Sequence, residues 1–149
     1  MNIYFACSIT GGRKDTKVYQ VIVKAMQAAG HEVPTALLAS EKVVDLEIVV
    51  SPRDVYTRDI AWIDNCDVLV AEVSTPSHGV GYEISHALRI GKPVLCVHRH
   101  DVLVSKMLTG NTHPNITVQS YRSDEEAAQV VLSFLNSITE EVELQSYSE

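Results

Sequence analysis

The sequence has few of the residues that build disulfide frameworks or metal sites. Its three cysteines, Cys7, Cys66 and Cys96, are odd in number, widely spaced and without a C-x-x-C pair. Such a set is typical of reduced thiols in the cytosol and favours neither a disulfide framework nor a zinc site. The six histidines also show no metal-ligand spacing with a carboxylate or a thiol. We therefore predict no metal site.

Long hydrophobic runs and an excess of basic residues are missing as well. No apolar run approaches the ~20 residues that span a bilayer, and the first five residues lack the basic start of a signal peptide. The net charge is −7, whereas a duplex nucleic-acid binder normally has a basic face. We expect a cytoplasmic protein, with a nuclear location also compatible, that binds neither membrane nor nucleic acid. Any phosphate must then be held by loop amides, helix N-termini and one or two basic side chains.

What the chain does contain is a regular alternation of short apolar segments and amphipathic helical segments. This alternation predicts an α/β, flavodoxin-like (Rossmann-like) fold with a five-stranded parallel sheet in the order 2-1-3-4-5 and helices on both faces. The predicted strands cover residues 3–6, 31–34, 67–73, 94–97 and 115–119. Residues 35–50 give a poor signal and are predicted to be a long connection. We expect a single domain over residues 1–149, with a polar tail that frays from about residue 141.

Ligands of such sheets bind at the carboxyl ends of the strands, where the strand order reverses. This edge would bring together three segments: residues 7–13, 74–81 and 98–110. Within the last of these, the His98-Arg99-His100 sequence is interpreted as a solvated loop.

A carboxylate interrupts the apolar stripe of the helix predicted from Pro52 to about Asn65. Helical spacing places Asp59 in a stripe whose other members are Val55, Trp62, Ile63 and Cys66. A carboxylate there is costly unless it is partnered. Asp59 is either a structural group, as a loop cap or the partner of a buried arginine, or an active-site carboxylate, and we favour the active site. Asp54 and Arg58, four residues apart, are predicted to form a surface pair.

A turn with two glycines follows the third predicted strand and opens a helix. It reads Pro-Ser-His-Gly-Val-Gly-Tyr-Glu over residues 76–83. Gly79 and Gly81 allow a ligand to approach the backbone, and free N–H groups there can bind an anion. The spacing is not G-x-G-x-x-G, which argues against a dinucleotide site. Glu83 either only stabilises the helix through a favourable interaction with its dipole, or forms with Asp59 the carboxylate pair that glycosidic cleavage often uses.

The loop after the first strand combines small polar residues with glycine. It suits a phosphate or sugar pocket, although a flexible connecting loop is the alternative. Tyr4 alternates toward one face of the strand before it, a position that is usually part of the core. The candidate pocket residues are Ser8, Thr10, Gly11, Gly12 and Arg13.

Together these segments resemble the 2′-deoxynucleoside 5′-phosphate N-hydrolases, relatives of the nucleoside 2-deoxyribosyltransferases. The matching stretches occur in order and spacing between residues 2 and about 135. None would suffice alone, but the combination is specific. The stretches are residues 3–13, 59–62, 67–73, 76–83 and 91–96.

The resemblance implies a role for each candidate residue. Glu83 matches the nucleophile, Asp59 the carboxylate that contacts the sugar, and Tyr4 a tyrosine beside the reacting centre. Ser105 resembles a serine that reaches the neighbouring subunit's phosphate site, which implies a homodimer with shared active sites. The substrate-binding positions are Ser8, Ile9, Thr10, Gly11, Gly12, Arg13, Ser77, Gly79, Ser105 and Met107.

Thr10 departs from the pattern, since the vertebrate-like hydrolases have an arginine there. Either Arg13 compensates for the lost cation or the preferred substrate is an unphosphorylated nucleoside.

The resemblance implies hydrolysis of the N-glycosidic bond of a 2′-deoxynucleoside 5′-monophosphate through a deoxyribosyl ester on Glu83, with no metal or organic cofactor. Three alternatives stay open. They are transfer of deoxyribose between nucleobases, hydrolysis of cytidine monophosphate, and nucleotide binding without catalysis.

Overall fold

The sheet has four strands rather than five. The computed structural model describes residues 1–12 and 14–146. All neighbouring strands pair in parallel, so the α/β class with a parallel sheet is confirmed. The predicted strand count and the order 2-1-3-4-5 are wrong. The strands, in their spatial order, are β1 (Ile3–Ala6), β2 (Val68–Glu72), β3 (Val94–Arg99) and β4 (Ile116–Tyr121).

The segment predicted as a strand over 31–34 makes a single parallel bridge, from Glu32 to Asn2 beside β1. The ladder stops there because Pro34 has no N–H to donate. The chain winds instead into a 3-10 helix, Pro34–Ala39. A side chain replaces the missing strand as a hydrogen-bond partner at the edge of β1. The backbone N–H of Phe5 donates to the Thr35 hydroxyl at 2.8 Å.

Helices cover both faces of the sheet, as the alternation predicted. Ile3 and Phe5 of β1 point into the core beneath α1 (Thr16–Ala28) and α6 (Asp124–Ser146). Tyr4 and Ala6 point to the other face, which packs against α3 (Pro52–Asn65) and α4 (His78–Arg89). The period-two alternation of the strand therefore decides which residues of β1 can reach α3 and α4.

Serine caps begin the two helices that border the candidate site. The Ser51 hydroxyl accepts a hydrogen bond from the Asp54 N–H at 3.1 Å, with Pro52 in the first turn. The Ser77 hydroxyl accepts from the Val80 N–H at 3.4 Å. These caps satisfy N–H groups that have no partner inside the helix and fix where each helix starts.

The remaining segments are short, except for the last helix. The connection over 35–50 contains the 3-10 helix and then α2 (Val43–Ile48), and α5 (Lys106–Thr109) follows β3. Helix α6 continues to Ser146. Fraying from about residue 141 stays a prediction, and residues 147–149 lie outside the described chain. Across the part of the chain that the structure describes, no helix is both long and apolar enough to cross a membrane.

Candidate active site

A tyrosine and a carboxylate meet at the carboxyl edge of the sheet. The Tyr4 hydroxyl, pointing from β1 toward α4, donates to Glu83 Oε1 at 2.8 Å. Tyr4 is 1% exposed and packs in the core on that face, so it is both a core residue and the partner of Glu83. Glu83 lies in the second turn of α4, where Ser77 fixes the start of the helix.

The surroundings of Glu83 adjust its acidity. Burial raises the pKa of the Glu83 carboxyl to about 7, since a buried charge is poorly solvated. The hydrogen bond from Tyr4 lowers this pKa, whereas the negative charge of Asp59 raises it. Burial and the two carboxylates in turn raise the pKa of Tyr4, which keeps its hydroxyl protonated as a donor. Glu83 is therefore ionised in a substantial fraction of molecules at neutral pH.

Asp59 lies next to this pair on α3 and is held by an arginine. Arg58 Nε donates to Asp59 Oδ1 at 2.8 Å, and Arg58 Nη1 donates to Glu47 Oε1 at 3.0 Å. The Arg58 guanidinium also stacks 4.9 Å from the centre of the Trp62 ring. Burial raises the pKa of Asp59, and the arginine opposes that rise. The arginine thus counteracts part of the effect of burial on Asp59, and its contact with Glu47 ties α2 to α3.

The predicted surface pair between Asp54 and Arg58 is wrong. The Ser51 hydroxyl donates to Asp54 at 2.7 Å, so Asp54 belongs to the helix cap. Arg58 turns instead toward Asp59 and Glu47, because two partly buried carboxylates offer a less screened partner than an exposed one.

The glycine loop after β1 packs closely against the turn before α4. Ser8 is fully buried and Ile9 is partly buried, whereas Thr10 and Gly11 are exposed. A Cβ on Gly11 would overlap the Pro76 carbonyl oxygen and lie 2.9 Å from the Ser8 hydroxyl. Gly12 has a φ of 131°, which favours glycine. Arg13 lies outside the described residues.

Two serines of the predicted set border a cavity on another side of α4. Ser77 and Ser105 both line a cavity of about 560 Å³, together with Met107. Ser105 caps α5 by accepting from the Met107 N–H at 3.2 Å. Gly79 is exposed in the first turn of α4. Tyr4, Asp59 and Glu83 are not among the residues around this cavity, so one chain brings the catalytic candidates together and leaves Ser105 and Met107 apart from them.

Several polar residues near the strand ends were not singled out from the sequence. His98 and Arg99 are the last residues of β3, and Arg99 pairs with Asp15, so the solvated loop predicted over His98–His100 is wrong for both residues. The sequence did contain one sign of a polar group at these strand ends, namely Glu72, a carboxylate at the end of an apolar strand. Within residues 1–12 and 14–146, no group of three His, Cys, Asp or Glu side chains is arranged to hold a metal ion.

Comparisons with known proteins agree with these motifs. A relative from Danio rerio, named 5-hydroxymethyl-dUMP N-hydrolase, is 40% identical over 129 residues, which cover 84% of this chain and 90% of the relative. A relative from Methanococcoides burtonii, provisionally named 2′-deoxynucleoside 5′-phosphate N-hydrolase 1, is 40% identical over 119 residues, covering 80% and 98% of the two chains.

Among solved structures, the CMP N-glycosidase of Clostridium botulinum aligns with a TM-score of 0.68 and 20% identity, over 89% of this chain and 98% of that chain. At this identity the likeness shows the fold alone. The family model described as nucleoside 2-deoxyribosyltransferase matches residues 3–131. The resemblance drawn from the motifs is therefore confirmed, and the chain belongs to the nucleoside 2-deoxyribosyltransferase family.

Proposed function

We propose that this protein hydrolyses the N-glycosidic bond of 2′-deoxynucleoside 5′-monophosphates and releases a free nucleobase and 2-deoxyribose 5-phosphate. The observation that best supports the proposal is the hydrogen bond from Tyr4 to Glu83, beside the carboxylate of Asp59. A partly ionised carboxylate with a fixed donor is suited to attack an electron-poor carbon. The names of the relatives from Danio rerio and Methanococcoides burtonii point to the same reaction class.

The reaction proceeds with retention, in two displacements. Glu83 attacks C1′ of the deoxyribose, a Glu83–C1′ ester bond forms, and the C1′–N bond breaks. The nucleobase leaves with the bonding electrons and takes up a proton. Water then attacks C1′, its hydroxyl stays on the sugar, its proton passes to Asp59 or to solvent, and Glu83 leaves as a carboxylate. This division of labour is the one that retaining glycosidases make between two carboxyl groups.

The phosphate is assigned to the glycine loop and the start of α4. Ser77 and the amides near Gly79 supply donors, and the N-terminus of α4 favours an anion. Ser8, which is buried beneath Gly11, supports the loop from inside. Ile9, Thr10, Gly11, Gly12 and Arg13 complete this pocket in our assignment. Thr10 supplies no cation, so we expect phosphate recognition to depend on neutral donors more than in the vertebrate-like hydrolases.

We also propose that the protein is a cytoplasmic homodimer whose sites are completed by Ser105 and Met107 of the other subunit. Leu103 and Met107 are 100% and 82% exposed beside Ser105, and exposed apolar side chains in one place are typical of an interface. The cysteines Cys7, Cys66 and Cys96 are buried and reduced, which favours a reducing compartment.

The second candidate function is transfer of the deoxyribosyl group to another nucleobase. It shares the first displacement and differs only in what opens the ester. Family membership supports it, since the family model is named for the transferase. The two functions separate by their products, because transfer needs an acceptor base and hydrolysis does not.

The test is to incubate the protein with each deoxynucleoside 5′-monophosphate, each deoxynucleoside and cytidine monophosphate, with and without a second free base. Chromatography then resolves the products. We expect free base and 2-deoxyribose 5-phosphate without an acceptor, and a loss of several orders of magnitude in rate for Glu83→Gln. Release that depends on the acceptor identifies a transferase. Activity above about a tenth of wild type in Glu83→Gln would exclude Glu83 as the nucleophile.

A further inference from the structure

A second cluster of ionisable side chains lies at the same sheet edge, on the face covered by α1 and α6. Asp15, the residue before α1, is 4% exposed. Its carboxylate accepts hydrogen bonds from Arg99 at the end of β3 and, at 2.7 Å, from the Thr75 hydroxyl. The Arg99 side chain keeps about a third of its surface exposed (32%) and also approaches the exposed Asp101 at 3.4 Å.

The cluster continues inward to a buried glutamate. The backbone N–H of Arg99 donates to the Ser74 hydroxyl at 2.8 Å, and that hydroxyl donates to Glu72. The Tyr121 hydroxyl donates to Glu72 Oε1 at 2.8 Å. Burial raises the pKa of Glu72. The carboxyl ends of β2, β3 and β4 are thus joined to Asp15, the residue before α1.

This cluster supports both walls of the assigned phosphate pocket. Thr75, which bonds Asp15, also faces the glycine loop, since a Cβ on Gly12 would lie 3.6 Å from the Thr75 methyl group. The next residue, Pro76, touches Gly11 through its carbonyl oxygen. The glycine loop and the turn that leads to Ser77 are therefore held against each other at Thr75, and Asp15 fixes Thr75.

The charge of Asp15 also matters to a phosphate in that pocket. An unpaired carboxylate behind the loop would repel a phosphate dianion, because charges in buried surroundings are only weakly screened by solvent. Arg99 cancels that charge, and its own position depends on Asp15. Neither side chain needs to touch the substrate to influence its phosphate.

We infer that Asp15 and Arg99 are positioning residues that hold the phosphate pocket in shape and neutralise it, so that this ion pair sets the preference for phosphorylated over unphosphorylated substrates. The inference rests on the proposed function, because it concerns the same site. It adds a determinant of substrate class on the opposite face of the sheet from Tyr4 and Glu83.

The experiment uses the full chain and four variants: Arg99→Gln, Arg99→Lys, Asp15→Asn and the Asp15→Asn/Arg99→Gln double variant. For each, kcat and KM are measured with a deoxynucleoside 5′-monophosphate and with its nucleoside. Binding of 2-deoxyribose 5-phosphate is followed separately by calorimetry. Lys17→Gln is the matched control, because Lys17 pairs with Asp124 on the surface, 85% exposed, and its loss changes the net charge by the same amount.

We expect Arg99→Gln to raise KM for the nucleotide about tenfold more than KM for the nucleoside, as one uncompensated charge near a dianion would. Arg99→Lys keeps the charge and should retain most of the selectivity. The double variant removes both charges and should recover selectivity to within about threefold of wild type. Lys17→Gln should leave the selectivity unchanged.

Equal losses for both substrates in Arg99→Gln, or additive losses in the double variant, would show that the pair only stabilises the fold. If the wild-type chain cleaves none of the substrates, the proposed function fails, and calorimetry still decides the inference. Binding of 2-deoxyribose 5-phosphate that weakens in Arg99→Gln and recovers in the double variant supports it. Absence of binding by the wild-type chain, or equal binding by all variants, overturns it.

Discussion

At the scale of single residues, burial and hydrogen bonding have opposite effects on the pKa of the central carboxylate, Glu83. Burial raises the pKa of Glu83 to about 7, while the Tyr4 hydroxyl lowers it. Burial first, and then the two nearby carboxylates, raise the pKa of Tyr4 and keep its hydroxyl protonated. We therefore expect Tyr4 to tune the proposed nucleophile and not to act as an acid, because its raised pKa disfavours release of the proton.

This balance predicts the pH dependence of the reaction. A nucleophilic carboxylate must be ionised, so kcat/KM should rise with pH through an apparent pKa of about 7. Tyr4→Phe removes the donor that stabilises the ionised form, so this limb should move to higher pH and the rate at neutral pH should fall. The measurement is a pH–rate profile of both proteins, with circular dichroism as the control for folding. A limb that stays in place, or moves to lower pH, contradicts the role given to Tyr4.

Substitution of Asp59 distinguishes a catalytic role of this carboxylate from a structural one. Asp59→Asn should reduce kcat/KM strongly, because the reacting sugar loses its second carboxylate. The melting temperature should change little, since Arg58 keeps its contacts with Glu47 and Trp62. Thermal melts beside kinetics test this. A large drop in melting temperature would mean that Asp59 serves mainly as the partner of Arg58.

Asp59 was predictable as an exception within an apolar stripe, whereas Glu47, the other carboxylate that Arg58 contacts, was not. Helical periodicity shows which residues share a face of one helix, but it does not show a contact with a different segment. Arg58 was misassigned for the same reason. Helical spacing put Asp54 within its reach, but the choice among three carboxylates was made by burial, which no local pattern records.

At the scale of elements, local chemistry predicted where helices begin better than where strands form. The Ser51 cap and Pro52 placed the start of α3 correctly, because a cap is a contact among four consecutive residues. The strand over 31–34 failed because its hydrogen bonds depend on a neighbour and Pro34 cannot donate one. The hydrophobic pattern of that segment correctly indicated burial, since Val33 is buried. Its backbone, however, continues into a 3-10 helix instead of a strand.

The glycine loop gives a prediction at this scale. Gly11→Ala should destabilise the protein by roughly 1–3 kcal/mol, because the new Cβ would overlap the Pro76 carbonyl oxygen and crowd the Ser8 hydroxyl. Gly81→Ala is the matched control. It lies in α4, where the new Cβ would have no atom within 4 Å apart from the helix's own backbone and the adjacent residues, so the substitution should stabilise the helix by roughly 0.5–1 kcal/mol. Denaturant unfolding of both variants measures the difference. Equal stabilities would mean that the loop and the turn are not held in contact.

At the scale of the whole molecule, the parallel sheet explains why residues far apart in sequence meet. Carboxyl ends of parallel strands share one edge, which was expected to bring the loop after β1 near the turn before α4. That Tyr4 lies beside Glu83 was implied by the family resemblance and not by the topology. The sequence pattern did not indicate that this edge would hold two polar clusters on opposite faces. The second cluster combines Asp15 and Arg99 with residues from two further segments, and residues so widely spaced in the sequence leave no motif. The further residues are Glu72, Ser74 and Thr75 at the end of β2 and in the turn after it, and Tyr121 of β4.

The proposed dimer makes the last prediction, because a shared site can be rebuilt from two inactive chains. Glu83→Ala removes the proposed nucleophile. Ser105→Asp places a negative charge against the phosphate while keeping a side chain that caps α5. In a heterodimer of the two, one site combines the intact Glu83 of one chain with the intact Ser105 of the other. Random mixing puts half the chains in heterodimers with one working site each, so activity should recover to about a quarter of wild type.

The control for this mixing is wild type combined with a chain that carries both substitutions. Shared sites leave heterodimers of this pair inactive, so the mixture should retain about a quarter of the wild-type activity, whereas independent sites would retain about half. Sedimentation at micromolar concentration establishes the dimer beforehand. A monomer, or no recovery when the two single variants are mixed and refolded together, would assign Ser105 to the cavity of its own chain, where it already lies with Ser77.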